Sequence, residues 1–243
     1  MERTKKAWIN GLIFIVTLGI NAMGAIGLIN GLSQKEISDK YLTLITPSPA
    51  TFSIWSVIYT LLLISVITMI VKKDDPYYQK AVDEISGLFR LSSLFNILWI
   101  VSFSFLLVEI SVVFILGFVI TLSMISLKLL KIQDKRRWLL PAAFGMYAGW
   151  LFIATVVNIS AMLVKLQWNG FGIAPEIWGV IMLSIAVVLI SLVLLRIKNA
   201  ILPLPAAWAY LGINQFLNSP AGFNGQYKLL QTTALVEIGR AHV

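Results

Sequence analysis

The side chains best suited to chemistry are scarce in this chain. It has no cysteine and a single histidine, His242. Thiolate nucleophiles, disulfides and Cys/His metal sites are therefore excluded, and no metal or other cofactor is implied. Asp74, Asp75, Asp83 and Glu84 cluster with Lys72, Lys73 and Lys80, which reads as a solvated loop of mixed charge. Glu109 reads as an exposed residue at a hairpin. No ionisable group falls deep inside an apolar block, which argues against a proton relay. What remains is aromatic and amide chemistry. Asn96, Trp99 and Phe103 recur at steps of three and four and keep roughly one helical face. Trp150, Ala154 and Asn158, preceded by Tyr147, form a second stripe at steps of four. Trp55 and Tyr59 share a face below a stiff segment containing Pro47 and Pro49. Converging indoles with a few amides could line a pocket for a flat, mostly apolar ligand. The plainer alternative is that they only knit helices together.

The elements that carry these stripes follow from composition. Apolar residues make up 58% of the 243 residues and charged residues 12%. A soluble domain carries roughly a quarter charged residues, so this chain lacks the material for a polar exterior. Its apolar residues fall in blocks of about twenty, the length that spans a hydrocarbon core of about 30 Å. The predicted fold class is all-α, a polytopic membrane helix bundle. Helices are expected at about 8–30, 52–71, 88–108, 112–130, 138–164, 177–195 and, more weakly, 201–217. A last segment near Tyr227 is too short to span. That makes seven crossings visible and eight expected in a full chain, the last read as truncated. The basic flank and apolar block at the N-terminus read as a retained helix rather than a signal peptide.

Basic residues sit at block ends rather than along one stripe, so the net charge of +8 points to membrane topology and not to nucleic acid. Lys and Arg number 14 on one set of connections and 4 on the other. The N-terminus is therefore expected on the cytoplasmic side. Trp8, Trp138, Trp168 and Trp178 read as interfacial anchors. Gly145/Gly149 and Gly27/Gly31 have the small-xxx-small spacing of close helix contacts.

Together the three aromatic segments resemble the tryptophan-rich sensory protein/translocator protein (TspO) family. That family has a Pro-rich loop leading into an aromatic second helix, N-x-x-W-x-x-x-F in the third, and Y-x-x-W-x-x-x-A-x-x-x-N in the fifth. Two departures stand out: Phe52 is one residue too close to Trp55, and Met146 replaces the proline before Tyr147. The resemblance covers about residues 8–165. It implies a TspO-like five-helix bundle over 1–165, with two to three additional transmembrane helices over 166–236. It also implies a cavity under the loop joining the first two helices, lined or supported by Trp55, Tyr59, Asn96, Trp99, Phe103, Tyr147, Trp150, Ala154 and Asn158. Relatives bind tetrapyrroles, sterols or drug-like ligands there, and some are reported to act on porphyrins.

The leading expectation is a binding protein, a sensor or carrier for a porphyrin-like or sterol-like ligand, in a bacterial cytoplasmic membrane. The bilayer is its surroundings and a homodimer is allowed. A secondary transporter is the alternative, although no internal repeat is evident and only Pro203 and Pro205 hint at a broken helix. A porphyrin-modifying enzyme ranks third, with only tryptophans to nominate. Residues 237–243 spell EIGRAHV, and one back-translation of that string resembles a common sequencing adapter. It is read as an assembly artefact, so His242 is given no role. Resequencing the locus is expected to return a different continuation after about Val236; the same seven codons followed by a stop would refute this.

Overall fold

A computed structural model of the chain describes residues 2–134 and 137–240. Lys135 and Arg136, counted in the topology sum, and His242 in the suspect tail lie outside the described residues. The described residues form α1 (Glu2–Ala25), α2 (Gln34–Lys40), a 3₁₀ turn (Pro49–Ser53), α3 (Ile54–Val71), α4 (Pro76–Ser104), α5 (Val108–Lys131), α6 (Leu139–Lys165), α7 (Pro175–Ile197), α8 (Leu204–Asn218) and α9 (Lys228–Arg240). No strand occurs among them. The chain is an all-α polytopic bundle, and the expected fold class holds.

Six helices among the described residues are long and apolar enough to cross a bilayer: α1, α3 with its 3₁₀ lead-in, α4, α5, α6 and α7. Their outward faces carry exposed Leu12, Ile15, Val113, Ile120, Leu192 and Leu195, as faces in contact with lipid do. The expected seventh crossing is shorter than the apolar pattern suggests. α8 has 15 residues, a length of about 22 Å against a core of about 30 Å. Its lead-in is not helical. Lys198 turns left-handed at φ 50°, and the Asn199 amide donates to the Pro141 carbonyl of α6 at 2.7 Å. Irregular backbone at membrane depth is tolerated when it lies against protein, and here Leu202 and Pro203 are buried.

Gly145 and Gly149 make the groove for that lead-in. A Cβ on Gly149 would lie 2.0 Å from the Leu202 carbonyl oxygen, and one on Gly145 would lie 2.3 Å from Asn199 Nδ2. Their spacing is thus a packing device, as expected, with a partner that is a turn and not a helix. Gly27 and Gly31 do something else. Both adopt positive φ, +78° and +76°; Gly27 ends α1 at Ala25 instead of Asn30, and Gly31 closes the turn that follows, a region glycine enters without strain.

One further boundary moves. The third long helix begins at Pro76, not Leu88, because Asp75 caps it by accepting from the Tyr77 backbone N–H at 3.0 Å and Pro76 occupies the first turn. Tyr78, Ala81, Val82, Ile85 and Phe89 form its buried stripe. Asp83 and Glu84 are therefore helical, not part of a loop. Asp83 meets Arg3 and Lys6 of α1, and Glu84 meets Lys128 of α5 at 2.8 Å. Asp75 pairs with Arg137 at 2.7 Å, whose guanidinium also lies over the Tyr77 and Tyr78 rings. At the opposite end, Glu109 sits in the first turn of α5, where a carboxylate suits the helix dipole. It pairs with Lys165 at 2.6 Å rather than standing free. Trp8 and Trp138 are exposed near the basic end, while Trp168 and Trp178 pack together at 4.8 Å near the other.

Gly149→Ala is expected to destabilise the fold by about 1–3 kcal/mol through overpacking. Gly19→Ala, where a Cβ meets nothing within 4 Å, serves as the control. Thermal unfolding of both variants in detergent checks this, and equal midpoints would refute it.

Candidate functional site

At the end of the bundle away from the N-terminus, α1, α2, α3, α4 and α6 diverge around a cavity of about 620 Å³. The stiff segment through Pro47 and Pro49, the strap, borders it at the mouth. Of the nine residues nominated from sequence, seven line the wall: Trp55, Tyr59, Trp99, Phe103, Trp150, Ala154 and Asn158. Asn96 and Tyr147 are not on the wall. They are buried behind it and hold Tyr59 in place.

Trp55 is the centre of the aromatic wall. Its ring stacks on Tyr59 at 5.2 Å, meets Tyr147 and Trp150 edge-on at 6.0 Å each, and lies 6.2 Å from Trp99. Such pairs contribute about 0.5–1.5 kcal/mol beyond area burial. Phe52, displaced by one residue from the family spacing, falls within the 3₁₀ turn, whose period is three. It reaches the wall from there and meets Trp150 edge-on at 6.1 Å.

Two amide networks position these rings. In the first, the Tyr59 hydroxyl donates to Asn21 Oδ1 at 2.8 Å, and Asn21 Nδ2 donates to Asn96 Oδ1 at 2.6 Å. Asn96 Nδ2 then donates to the Tyr147 hydroxyl at 2.7 Å. This joins α1, α3, α4 and α6. In the second, the Trp99 indole N–H donates to Asn158 Oδ1 at 2.8 Å, and Asn158 Nδ2 donates to Ser111 Oγ at 3.0 Å. This joins α4, α6 and α5. A buried amide without a partner costs about 1–3 kcal/mol, and both networks avoid that.

The indole N–H of Trp150 is different. It is buried and finds no acceptor among the described residues, and the same holds for the side-chain amide nitrogen of Gln34. Both residues line the cavity. An acceptor on a bound molecule would satisfy a donor of this kind.

Sequence reasoning missed the contributions of α1 and α2. Asn21 was legible in principle, since an amide inside an apolar helix needs a partner. Gln34 and Lys35 gave no such signal, because α2 is a short helix defined by its cap. Ser33 and Glu36 form a capping box. The Ser33 backbone N–H and then its hydroxyl hold the Glu36 carboxyl below its usual range.

Apolar helices closing on an aromatic pocket of this size define a membrane protein built to hold a small molecule. A family model described as TSPO-like protein matches residues 7–240, and the chain belongs to that family. The matched stretch runs beyond residue 165 and takes in α7, α8 and α9. No curated protein and no solved structure matches the chain.

Asn96→Leu is expected to destabilise the protein by about 1–2 kcal/mol, since it strips partners from Asn21 and Tyr147 together. Tyr147→Phe, which removes only one link, is expected to cost less. Thermal midpoints of the two variants in one detergent check the order.

Proposed function

We propose that the protein binds a flat, mostly apolar small molecule of the porphyrin type in the aromatic cavity and acts as a sensor or carrier. The observation that carries this reading is a wall of four aromatic rings, Trp55 with Tyr59, Trp99 and Trp150 around it, beside the partnerless N–H of Trp150. Rings offer stacking to a conjugated ligand, and one directional donor orients it. Ala154 stands beside them, where a bulkier side chain would fill the space. Membership of the TSPO-like family supports the same reading. The wall is built of indoles, a phenol, phenyl rings, amides, aliphatic groups and the hydroxyls of Ser38 and Ser56, with Lys35 at its edge and no histidine, cysteine or carboxylate among its described lining residues. That inventory suits binding better than acid–base or nucleophilic catalysis. The excess of Lys and Arg at the N-terminal end supports placing that end in the cytoplasm and the cavity mouth across the membrane.

Protoporphyrin IX added to purified protein is expected to quench tryptophan fluorescence and change its own absorbance, both with saturation. Trp99→Ala together with Trp150→Ala is expected to weaken binding by more than about tenfold. Unchanged affinity in that double variant would remove these residues from the site.

A further inference from the structure

The strap has two sides. Pro47, Pro49 and Phe52 face the aromatic cavity, while Ser48 and Thr51 are buried and turn toward α8. The Ser48 backbone N–H donates to the Gly212 carbonyl at 3.0 Å, and the Ser48 hydroxyl donates to Gln215 Oε1 at 3.0 Å. The Trp208 indole N–H donates to the Thr51 carbonyl at 2.9 Å. Helix and strap meet so closely that a Cβ on Gly212 would lie 1.9 Å from Thr51 Oγ1. Among the described residues, none of α8 lines the cavity.

α8 is itself anchored. Asn214 Nδ2 donates to the Gln231 carbonyl of α9 at 3.0 Å. The first turn of α9 is capped from α7, where Glu176 Oε1 accepts from the Leu229 and Leu230 backbone N–H groups at 3.1 and 3.3 Å. On the far side of the strap lies a second, more polar hollow between α2 and α8, walled by Lys35, Asp39, Ser48, Pro49, Asn214 and Gln215 among others. Lys35 and Pro49 belong to both spaces. They form the sill between the polar hollow and the aromatic cavity.

We propose that α8 is a clamp on the cavity mouth: Trp208, Gly212 and Gln215 are positioning residues that hold the strap shut and so govern passage between the polar hollow and the aromatic cavity. The inference takes the cavity to be the ligand site proposed above. Each hydrogen bond in the clamp is individually modest, so the strap opens as a local event without unfolding the bundle. Its prolines keep it stiff, so it moves as one piece. The C-terminal helices thereby set the rates of entry and release at a site they do not touch.

The absence of native cysteine allows a test that needs no ligand. Ala154→Cys places a thiol in the cavity wall, and its rate of reaction with a charged, membrane-impermeant methanethiosulfonate reports opening to water. Trp208→Phe, which keeps an aromatic ring, though a smaller one, and loses the donor, and Gln215→Ala are each expected to raise that rate by about fivefold or more. Gly212→Ala, which wedges the strap off the helix, is expected to raise it further if the variant folds. Ala148→Cys, fully buried in the same helix and off the cavity wall, is expected to stay unreactive throughout. An unchanged Ala154→Cys rate in both Trp208→Phe and Gln215→Ala overturns the clamp. So does a parallel rise at Ala148→Cys, which would mean general loosening. With protoporphyrin IX, the association and dissociation rates of the two variants are expected to rise together, leaving affinity within about twofold of wild type. Thiol rates that respond in a protein failing to bind protoporphyrin would support the clamp and overturn the ligand assignment.

Discussion

In the apolar interior of this bundle, an amide that leaves water must find both its donor and its acceptor partners on neighbouring helices. Asn96 is fully buried and Asn158 nearly so, and the rest of the site is arranged around how they are satisfied. Asn96 bridges Asn21 and Tyr147, and Asn158 bridges Trp99 and Ser111. Hydrophobic contact alone would let apolar helices slide or rotate at little cost, because lipid tails solvate leucine as well as a neighbouring helix does. The amide bonds are directional, so they fix the rotation and register of α1, α3, α4, α5 and α6. The aromatic wall inherits its geometry from that registration.

The C-terminal helices tie into the same structure at two levels. Near the basic end, the turn before α8 lies in the groove that Gly145 and Gly149 open on α6. Toward the other end, α8 holds the strap that borders the cavity mouth. α6 therefore supplies Trp150, Ala154 and Asn158 to the cavity from one face and receives α8 on another. The family match across 7–240 takes in both parts as one stretch of chain.

Much of the site was legible because helical periodicity puts residues three and four apart on one face. Trp99 and Phe103, Trp150 with Ala154 and Asn158, and Trp55 with Tyr59 converge on one cavity as their spacing implies. Spacing could not show which residues face the void and which face the next helix. Asn96 and Tyr147 share stripes with wall residues, yet they point into the network behind Tyr59. The start of α4 was misread because charged residues at its first turns look like a loop; the cap at Asp75 and the stripe from Tyr78 to Phe89 outweigh them. The glycine pairs show the same limit. One spacing makes a groove in α6, and the other makes left-handed turns after α1.

Composition alone determined that this chain lives in a bilayer, since 58% apolar and 12% charged residues cannot clothe a soluble domain. Block length and amide placement determined that helices would cross it and that Asn96 and Asn158 would face inward. Tertiary structure decided the rest: that α8 is too short to span as a regular helix, that its residues fasten the strap, and that Gln34 and Lys35 stand at the cavity mouth. The physical reason is the range of the interactions. Burial and helical period act within a segment and are written along the chain. A hydrogen bond from Trp208 to Thr51 joins residues far apart in sequence and exists only once the helices have packed.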